Sequence, residues 1–303
     1  MRFVAAALAL CLSTTAAWAE TQLQSMQVTD HALAIVGPYG QRDAENLGNN
    51  ATFGLIVTDA GAVLIDAGGT RAGAAQLHET VQAITDQPVR YVINTGGQDH
   101  RWLGNGYWKD QGAELIASAD AVADQTARAS MQLTVLTQLM GDVSDTVPVT
   151  ADTVFDDSHT LELGGLTIEI VHPGPAHTPG DSFVWLPSEQ VMFTGDIVYV
   201  GRTLGVMEFS SSADWVQSFE AMAVYAPAHV VPGHGPATDL ATATRDSYDY
   251  LVNLRSRIAA HIDAGGDIIG SVDVDQSAFS YLDAFDQLAR RNAQAVFSQM
   301  EWE

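Results

Sequence analysis

The stretch Gly174-Pro-Ala-His-Thr-Pro-Gly-Asp-Ser-Phe-Val-Trp-Leu-Pro-Ser-Glu-Gln-Val-Met-Phe-Thr-Gly-Asp196 decides the fold class. Two short apolar runs, Phe183–Leu186 and Val191–Thr194, flank a polar turn and are predicted to form a hairpin. A loop with His177 precedes the hairpin, and Asp196 follows it. Because active-site groups usually lie in loops at strand ends, this stretch predicts both a sheet and a site.

An earlier segment of the chain repeats this arrangement. Phe53 to Asp66 is also strand, turn and strand ending in an aspartate, with the same separation of 13 residues. Two αβ halves, each with one hairpin, would suit two sheets packed back to back with helices outside. Hairpins of this size are common, so coincidence remains open. The predicted fold class is α/β, a four-layer αββα sandwich.

The remaining elements follow from hydrophobic periodicity and from short apolar runs. The predicted strands are Thr52–Thr58, Ala62–Asp66, Val89–Asn94, Glu114–Ser118, Thr160–Leu163, Leu166–His172 and His229–Pro232, and the predicted helices are Arg71–Thr85, Ala119–Met140, Ala213–Val224, Leu240–Ala264 and Tyr281–Met300.

The first residues read as an export signal. Arg2 precedes an apolar run that is too short to anchor in a bilayer, and Ala17-Trp-Ala19 is a small-x-small cleavage site. We therefore predict a signal peptide over 1–19, one domain over 20–303 and a periplasmic location without a membrane anchor. Cleavage would remove Cys11, the only cysteine, so no disulfide or thiolate is expected. Leu10 before this cysteine argues against a lipoprotein signal.

The charge balance restricts the possible partners. The chain has 37 acidic and 13 basic residues, a formal net charge of −24. Such a surface repels phosphate backbones and anionic membranes, because binding them needs clustered lysine and arginine. Nucleic acid is therefore excluded as a partner, and a small-molecule substrate is expected. The oligomeric state is left open.

Five segments place acids or histidines where a strand ends. Imidazole and carboxylate together suit zinc, iron or manganese, and such a site can lower the pKa of a bound water to about 7. The segments are Asp66-Ala-Gly-Gly69, Asn94-Thr-Gly-Gly-Gln-Asp-His-Arg-Trp-Leu-Gly-Asn105, Gly174–Asp181, Thr194-Gly-Asp196 and Pro232-Gly-His-Gly-Pro236.

In this order and combination, the motifs resemble those of the metallo-β-lactamase superfamily from about Val28 to the C-terminus. The resemblance implies that Asp66 buttresses the site, that His177 and His234 bind metal, and that Asp196 bridges two metals. The C-terminal stretch Arg290-Arg-Asn-Ala-Gln-Ala-Val-Phe-Ser-Gln-Met-Glu301 is more similar to exported, sulfur-oxidation-associated (SoxH-like) and quinoprotein-associated members than to true β-lactamases.

The first metal motif departs from the family pattern Asn-Thr-His-x-His-x-Asp-His. Aligned without gaps, Gly96 and Gln98 replace the two leading histidines, and His100 stands where the aspartate is expected. Arg101 replaces the closing histidine. A one-residue slip would instead align Asp99 and His100 with the family's Asp-His pair. The flanking Asn-Thr and Gly-Asn pairs both fit the ungapped register, which we prefer.

The departure predicts one metal rather than two. The first metal position keeps only His177 and Asp196, whereas the second keeps His100, Asp196 and His234, with Asp99 added in the slipped register. Three protein ligands and a water form a recognised catalytic arrangement. We expect zinc, with iron or manganese as alternatives.

The leading hypothesis is a metal-dependent hydrolase in which activated water attacks an ester, amide, thioester or similar bond. Asp196, or Asp99 in the slipped register, is the expected proton acceptor. The rival hypothesis is a non-catalytic binding protein of the same fold that has lost its metal chemistry. A metal-dependent oxygenase would need the histidines that are missing from the first motif.

Overall fold

The computed structural model describes residues 23–303, so the predicted signal peptide and its cleavage site lie outside the described residues. None of the helices in this range is long and apolar enough to cross a membrane. The strands of the first sheet are β1 (Gln24–Gln27), β2 (Ala32–Val36), β3 (Thr52–Thr58), β4 (Gly61–Ile65), β5 (Val89–Asn94), β6 (Glu114–Ser118) and β7 (Thr153–Phe155).

A second sheet and the helices complete the fold. Thr244–Tyr248 forms one π-helical turn between the sixth and seventh α-helices. The strands are β8 (Ser158–Leu163), β9 (Leu166–Val171), β10 (Phe183–Leu186), β11 (Val191–Phe193) and β12 (His229–Val231); the α-helices are α1 (Arg71–Ile84), α2 (Asp99–Trp102), α3 (Asn105–Asp110), α4 (Ala119–Met140), α5 (Ser212–Ala223), α6 (Leu240–Ala243), α7 (Asp249–Asp263), α8 (Ile268–Ser271) and α9 (Phe285–Met300).

The topology gathers the candidate loops at one edge of each sheet. In the first sheet the strands follow chain order, antiparallel from β1 to β4 and parallel from β4 to β7. The second sheet has the order β12-β11-β10-β9-β8, and only β11 and β12 are parallel. Because parallel strands end at the same edge, the loops after β4 and β5, and those after β11 and β12, come together.

Side-chain alternation along the strands builds the layers. Ile56 and Val63 of the first sheet share a buried cluster with Val184 and Phe193 of the second. Their neighbours point the opposite way: Leu64 packs in a cluster with Leu77 and Val81 of α1. Residues of α5, α7 and α9 cover the outer face of the second sheet. The αββα sandwich predicted from the sequence is confirmed.

The two hairpins occupy equivalent places in the two sheets. β3 pairs with β4, and β10 with β11, both antiparallel. Phe53 and Phe183 both face a helical layer. Asp66 and Asp196 both follow the second strand of their hairpin, so the repeat brings two aspartates to one edge of the sandwich.

One helix boundary was wrong by several residues. The segment Leu240–Ala264, predicted as one helix, is helical from Leu240 to Asp263 and contains the π-helical turn. The last helix begins at Phe285 rather than Tyr281, because Asp283 exchanges backbone hydrogen bonds with the loop at Gly201 and Thr203. The sequence analysis also missed the β1–β2 pair and the short β7.

Candidate metal centre

His100, Asp196 and His234 converge at the edge where the loops meet. All three side chains are buried, and one ligand atom from each lies within 4.8 Å of the others. His100 is on α2, Asp196 lies in the 3-10 turn Gly195–Ile197 after β11, and His234 follows β12. Two imidazoles and one carboxylate form a donor set that suits zinc or iron.

The ring of His100 presents a nitrogen without a hydrogen-bond partner. Nε2 lies 3.3 Å from Oδ2 of Asp196, but the atom is buried and makes no hydrogen bond. On the other side of the ring, Nδ1 lies 3.1 Å from Oδ1 of Asp99 and 3.3 Å from Nη2 of Arg42, which also donates to that oxygen. A hydrogen on Nδ1 directed at this carboxylate would leave the lone pair of Nε2 in the centre, the usual state of a metal-binding histidine. Buried polar atoms rarely lack a partner, so Nε2 points to an occupant of the site.

His234 has a different environment. Its Nε2 lies 3.2 Å from Oδ1 of Asp196, and its Nδ1 is 3.3 Å from Nη1 of Arg202. The ring stacks on Tyr199 with centroids 4.4 Å apart. Burial holds the pKa of His234 well below its usual value, so the ring is neutral. Because an arginine nitrogen can only donate, Nδ1 accepts from Arg202, and a metal on Nε2 requires that arginine to turn towards another acceptor.

Arg101 fills the space between the two equivalent aspartates. Nη1 donates to Oδ2 of Asp66 at 2.7 Å and to the carbonyl of Thr52 at 3.1 Å. Nη2 donates to Oδ1 of Asp196 at 2.7 Å and to the carbonyl of Gly233 at 2.9 Å, and Nε donates to Oδ2 of Asp196 at 3.1 Å. All five N–H groups of the guanidinium therefore have a partner.

This buried guanidinium stabilises the negative charges around it. Arg101 is completely inaccessible to solvent. Burial opposes its charge, but Asp196 and Asp66 raise its pKa above the usual value. Burial likewise opposes the charge of Asp196, yet Arg101 and His100 hold the pKa of that carboxyl well below its usual range. Arg101 thus supplies, from within the chain, positive charge between the two aspartates.

The first metal position is not formed. His177 lies outside the cluster, and its Nδ1 is 3.0 Å from the carbonyl of Gly205, which leaves Nε2 as the acceptor nitrogen. Burial lowers the pKa of His177 to about 4, so this imidazole is neutral. At Gly96 a Cβ atom would stand 2.3 Å from Oδ1 of Asp181. Asp181 thus takes the space that a side chain at position 96 would need.

Asp99, the predicted alternative ligand and proton acceptor, is not among the three residues of the cluster. Nε of Arg42 donates to its Oδ1 at 3.1 Å, and Nη2 of the same arginine also contacts this oxygen. Burial alone would raise the pKa of Asp99, but Arg42 and His100 have a larger effect in the opposite direction. The pKa of Asp99 therefore lies below its usual range. Such a carboxylate accepts a proton poorly at neutral pH. The structure places His100, not Asp99, against Asp196.

The donor set therefore suits a divalent cation. The cluster offers three ligand atoms, one each from His100, Asp196 and His234. Arg101 donates one hydrogen bond to each carboxylate oxygen of Asp196, so each oxygen keeps a second lone pair. The ligand roles of these residues and of His177 stay predictions, as do the catalytic roles of Asp196 and Asp99.

Above the cluster lies a cavity of about 240 Å³ that the sequence analysis did not find. His100, His177 and His234 line its floor, and Tyr199 lies beside them. No local sequence pattern signals this cavity, because its lining residues come from separate segments of the chain. The cavity is also lined by arginines from four separate segments of the chain: Arg42, Arg128, Arg202 and Arg291.

Comparison with characterised proteins identifies several relatives. The chain is 23% identical over 181 residues to the 2,4-dinitroanisole O-demethylase subunit alpha of Nocardioides sp. (strain JS1661), covering 59% of this chain and 51% of the relative. It is 26% identical over 109 residues to the metallo-beta-lactamase type 2 of Bacteroides fragilis, covering 34% and 44%. The chain thus spans about half the length of these relatives.

Solved structures share the fold. A metallo-beta-lactamase from Pontibacter korlensis superimposes with a TM-score of 0.62 at 22% identity, covering 77% of this chain and all of that one. The mono-zinc form of the Pseudomonas aeruginosa metallo-beta-lactamase FIM-1 gives 0.59 at 20% identity, covering 77% of this chain and 95% of that one. The resemblance to SoxH-like members stays a prediction. Residues 48–234 match the family model of the metallo-beta-lactamase superfamily, and the chain therefore belongs to that superfamily.

Proposed function

We propose that this chain is a hydrolase that works with a single divalent metal, held by His100, Asp196 and His234. The observation that carries the proposal is the convergence of three buried ligand atoms within 4.8 Å, one of which, Nε2 of His100, has no other partner. Membership of a superfamily with a metal-dependent hydrolase fold supports it. The predicted export signal would place the enzyme in the periplasm.

A metal bound here would lower the pKa of a water molecule and so supply hydroxide at neutral pH for attack on an ester, amide, thioester or similar bond. Zinc suits the donors best, and iron or manganese are alternatives. The protein's part is to position the ligands. The Arg42–Asp99 ion pair lies behind Nδ1 of His100 and orients the ring, so that its Nε2 faces the centre.

The other residues of the site serve substrate and charge. His177 lines the cavity as a neutral imidazole whose Nε2 can accept a hydrogen bond from water or substrate. Arg101 neutralises one of the two aspartate charges, so the cluster of Asp66, Arg101 and Asp196 keeps a net charge of about −1. That residual charge favours one additional cation rather than two.

A second candidate function is a binding protein without metal chemistry. The observation that favours it is the guanidinium of Arg101, which engages both oxygens of Asp196 at 2.7 and 3.1 Å. The cation of the site is then the arginine itself, and the histidines serve only as walls of the cavity. The two candidates differ in whether the purified chain retains metal.

Metal analysis separates the two functions. After purification without added metal and equilibration with zinc, we expect one equivalent of zinc per chain after dialysis. His100→Ala should abolish this retention, because it removes the ligand atom that has no other partner. Asp99→Ala should weaken zinc binding by about 10–100-fold, the usual effect of removing the partner of a metal-binding histidine.

His159→Ala provides the matched control, since it removes an imidazole that stacks on Phe155, far along the chain from the site. Circular dichroism confirms that each variant is folded. No zinc retained by the wild type would overturn the hydrolase proposal in favour of the binding protein. Two retained equivalents would show that the first metal position forms after all.

A further inference from the structure

The cavity above the cluster has a charge opposite to that of the molecule. Of the described residues that line it, four are arginines and Asp99 alone is acidic. The chain as a whole has 37 acidic and 13 basic residues. A concave site with one sign of charge raises the local concentration of ligands of the opposite sign. The arginines are therefore concentrated where a small ligand would enter.

Two of the four arginines already have carboxylate partners. Arg42 binds Asp99, and Arg128 donates to Asp124 at 2.6 Å while lying 3.9 Å over the ring of Phe209. These two shape the wall of the cavity. Their charges are compensated, so they contribute little to the attraction of an anion.

Arg202 and Arg291 have no carboxylate partner within 4.0 Å among residues 23–303. Arg202 is partly buried, its Nε is buried without a hydrogen-bond partner, and its Nη1 reaches only the ring of His234. A guanidinium in this state is stabilised by an oxyanion, which accepts two parallel N–H bonds. Arg291 on α9 is exposed at the rim of the same cavity.

One wall of the cavity is apolar. Met131, Val135 and Leu139 lie four residues apart on α4, so they form one face of the helix. They line the cavity and are 49%, 41% and 39% exposed, an unusual exposure for three neighbouring large apolar side chains. Phe209 and Leu288 extend this surface.

We propose that the cavity binds an organic anion with an apolar body. Its carboxylate, sulfate or phosphate group binds Arg202 and Arg291, and its hydrocarbon part lies against Met131, Val135 and Leu139. An anion that draws Arg202 away from His234 removes the hydrogen-bond donor of Nδ1. This nitrogen can then carry the ring hydrogen and leave Nε2 for a metal, so binding of the anion and binding of metal by His234 are coupled. As a statement about the substrate class, this inference rests on the proposed hydrolase function. The binding of the anion does not depend on that function.

Isothermal titration calorimetry on the full chain tests the proposal with four probes of equal chain length: octanoate, octyl sulfate, octanol and octyltrimethylammonium. We expect the two anions to bind at least tenfold more tightly than the neutral and cationic probes, with an affinity that falls as salt is added. Octanoate against octyl sulfate distinguishes the preferred head group. From butanoate to octanoate, affinity should rise by up to about fourfold per added CH₂ group.

Variants assign the contacts. Arg202→Met should weaken octanoate binding at least tenfold, and Arg291→Gln, an exposed change that leaves the fold intact, about threefold or more. Met131→Gln should reduce the dependence on chain length. Arg90→Gln, on a different surface of the molecule, is the matched control and should change nothing.

Octanol binding as tightly as octanoate, or octanoate affinity unchanged in both arginine variants, would refute the anion site. The metal measurement is independent of this result. A chain that binds octanoate but retains no zinc supports the anion site and overturns the hydrolase proposal. A chain that retains zinc but does not bind octanoate refutes the anion site alone.

Discussion

Replacing Arg101 with methionine is expected to lower the free energy of unfolding by about 3–5 kcal/mol, the cost of removing one partner from a buried ion pair. Methionine approximates the volume of the arginine stem but donates no hydrogen bond. Asp66 and Asp196 would then be left as two buried carboxylates with no cation between them. The carbonyl of Thr52 would lose the Arg101 donor, and the carbonyl of Gly233 would keep only the backbone N–H of Thr52. Urea denaturation of the metal-free protein measures the loss.

The pH dependence distinguishes uncompensated charge from a simple packing defect. In the variant, burial and mutual repulsion should raise the folded-state pKa of Asp196 above the unfolded value of about 4, and should raise further the pKa of Asp66, which burial already raises in the wild type. Carboxyls with a raised folded-state pKa destabilise the protein as the pH rises above the unfolded value. The difference between wild type and Arg101→Met should therefore be larger at pH 8 than at pH 5.

Two further variants complete this experiment. Arg101→Lys keeps the charge but cannot form the five-bonded fork, so we expect an intermediate loss. Arg71→Met removes a surface arginine that pairs with Asp110 at 2.9 Å, and it should cost at most about 1 kcal/mol. A loss for Arg101→Met as small as that of Arg71→Met, or one that does not change with pH, would contradict the structural role of the guanidinium.

The fold was predictable because its determinants are local and repeated. The runs at Val89–Asn94 and Phe183–Leu186 are bounded by turn residues and coincide with strands in the structure. Helix α4 was predicted with both ends, since Ser118 caps its first turn and Gly141 follows its last. Errors occurred where contacts between residues distant in sequence decide the local structure. The backbone pairing of Asp283 with a distant loop, for example, shifts the start of the last helix.

The candidate site was only partly predictable for the same reason. The ungapped register gives the order of residues in the loop, and the structure places His100 beside Asp196 and His234. From the sequence alone, Arg101 is only the residue that replaces the closing histidine of the metal motif. The five N–H groups of Arg101 join two hairpins only because the two sheets pack together. No local sequence pattern encodes that packing. The arginines of the cavity come from four separate segments and share no motif.

Restoring the two leading histidines of the metal motif is not expected to create a second metal site. In Gly96→His/Gln98→His, the new Cβ at position 96 would stand 2.3 Å from Oδ1 of Asp181 and 3.1 Å from Oγ1 of Thr178. Gly96 is not among the residues with positive φ, so the obstacle is contact rather than backbone conformation. Overpacking of this kind typically costs about 1–3 kcal/mol.

The surrounding bonds make the loop difficult to displace. Nε2 of Gln125 donates to the carbonyl of Gly96 at 3.0 Å, and Thr178 donates its backbone N–H to Asp181 at 2.8 Å. Burial raises the pKa of Asp181 to about 8, so a buried and largely neutral carboxyl occupies the space of the missing histidine. The loop and this carboxyl form one packed unit, so the change at position 96 must displace both.

Zinc titration by calorimetry and urea denaturation decide this prediction. The double variant should bind no more zinc than the wild type and should lose stability, whereas Gln98→His alone should cost about 0.5 kcal/mol or less, because this partly exposed side chain lines the cavity. Adding Asp181→Ala to the double variant should recover part of the lost stability, since it removes the atoms that a side chain at position 96 would meet. A double variant that gains a second equivalent of zinc and keeps its stability would show that Asp181 moves aside readily, and that the lost histidines alone account for the missing metal position.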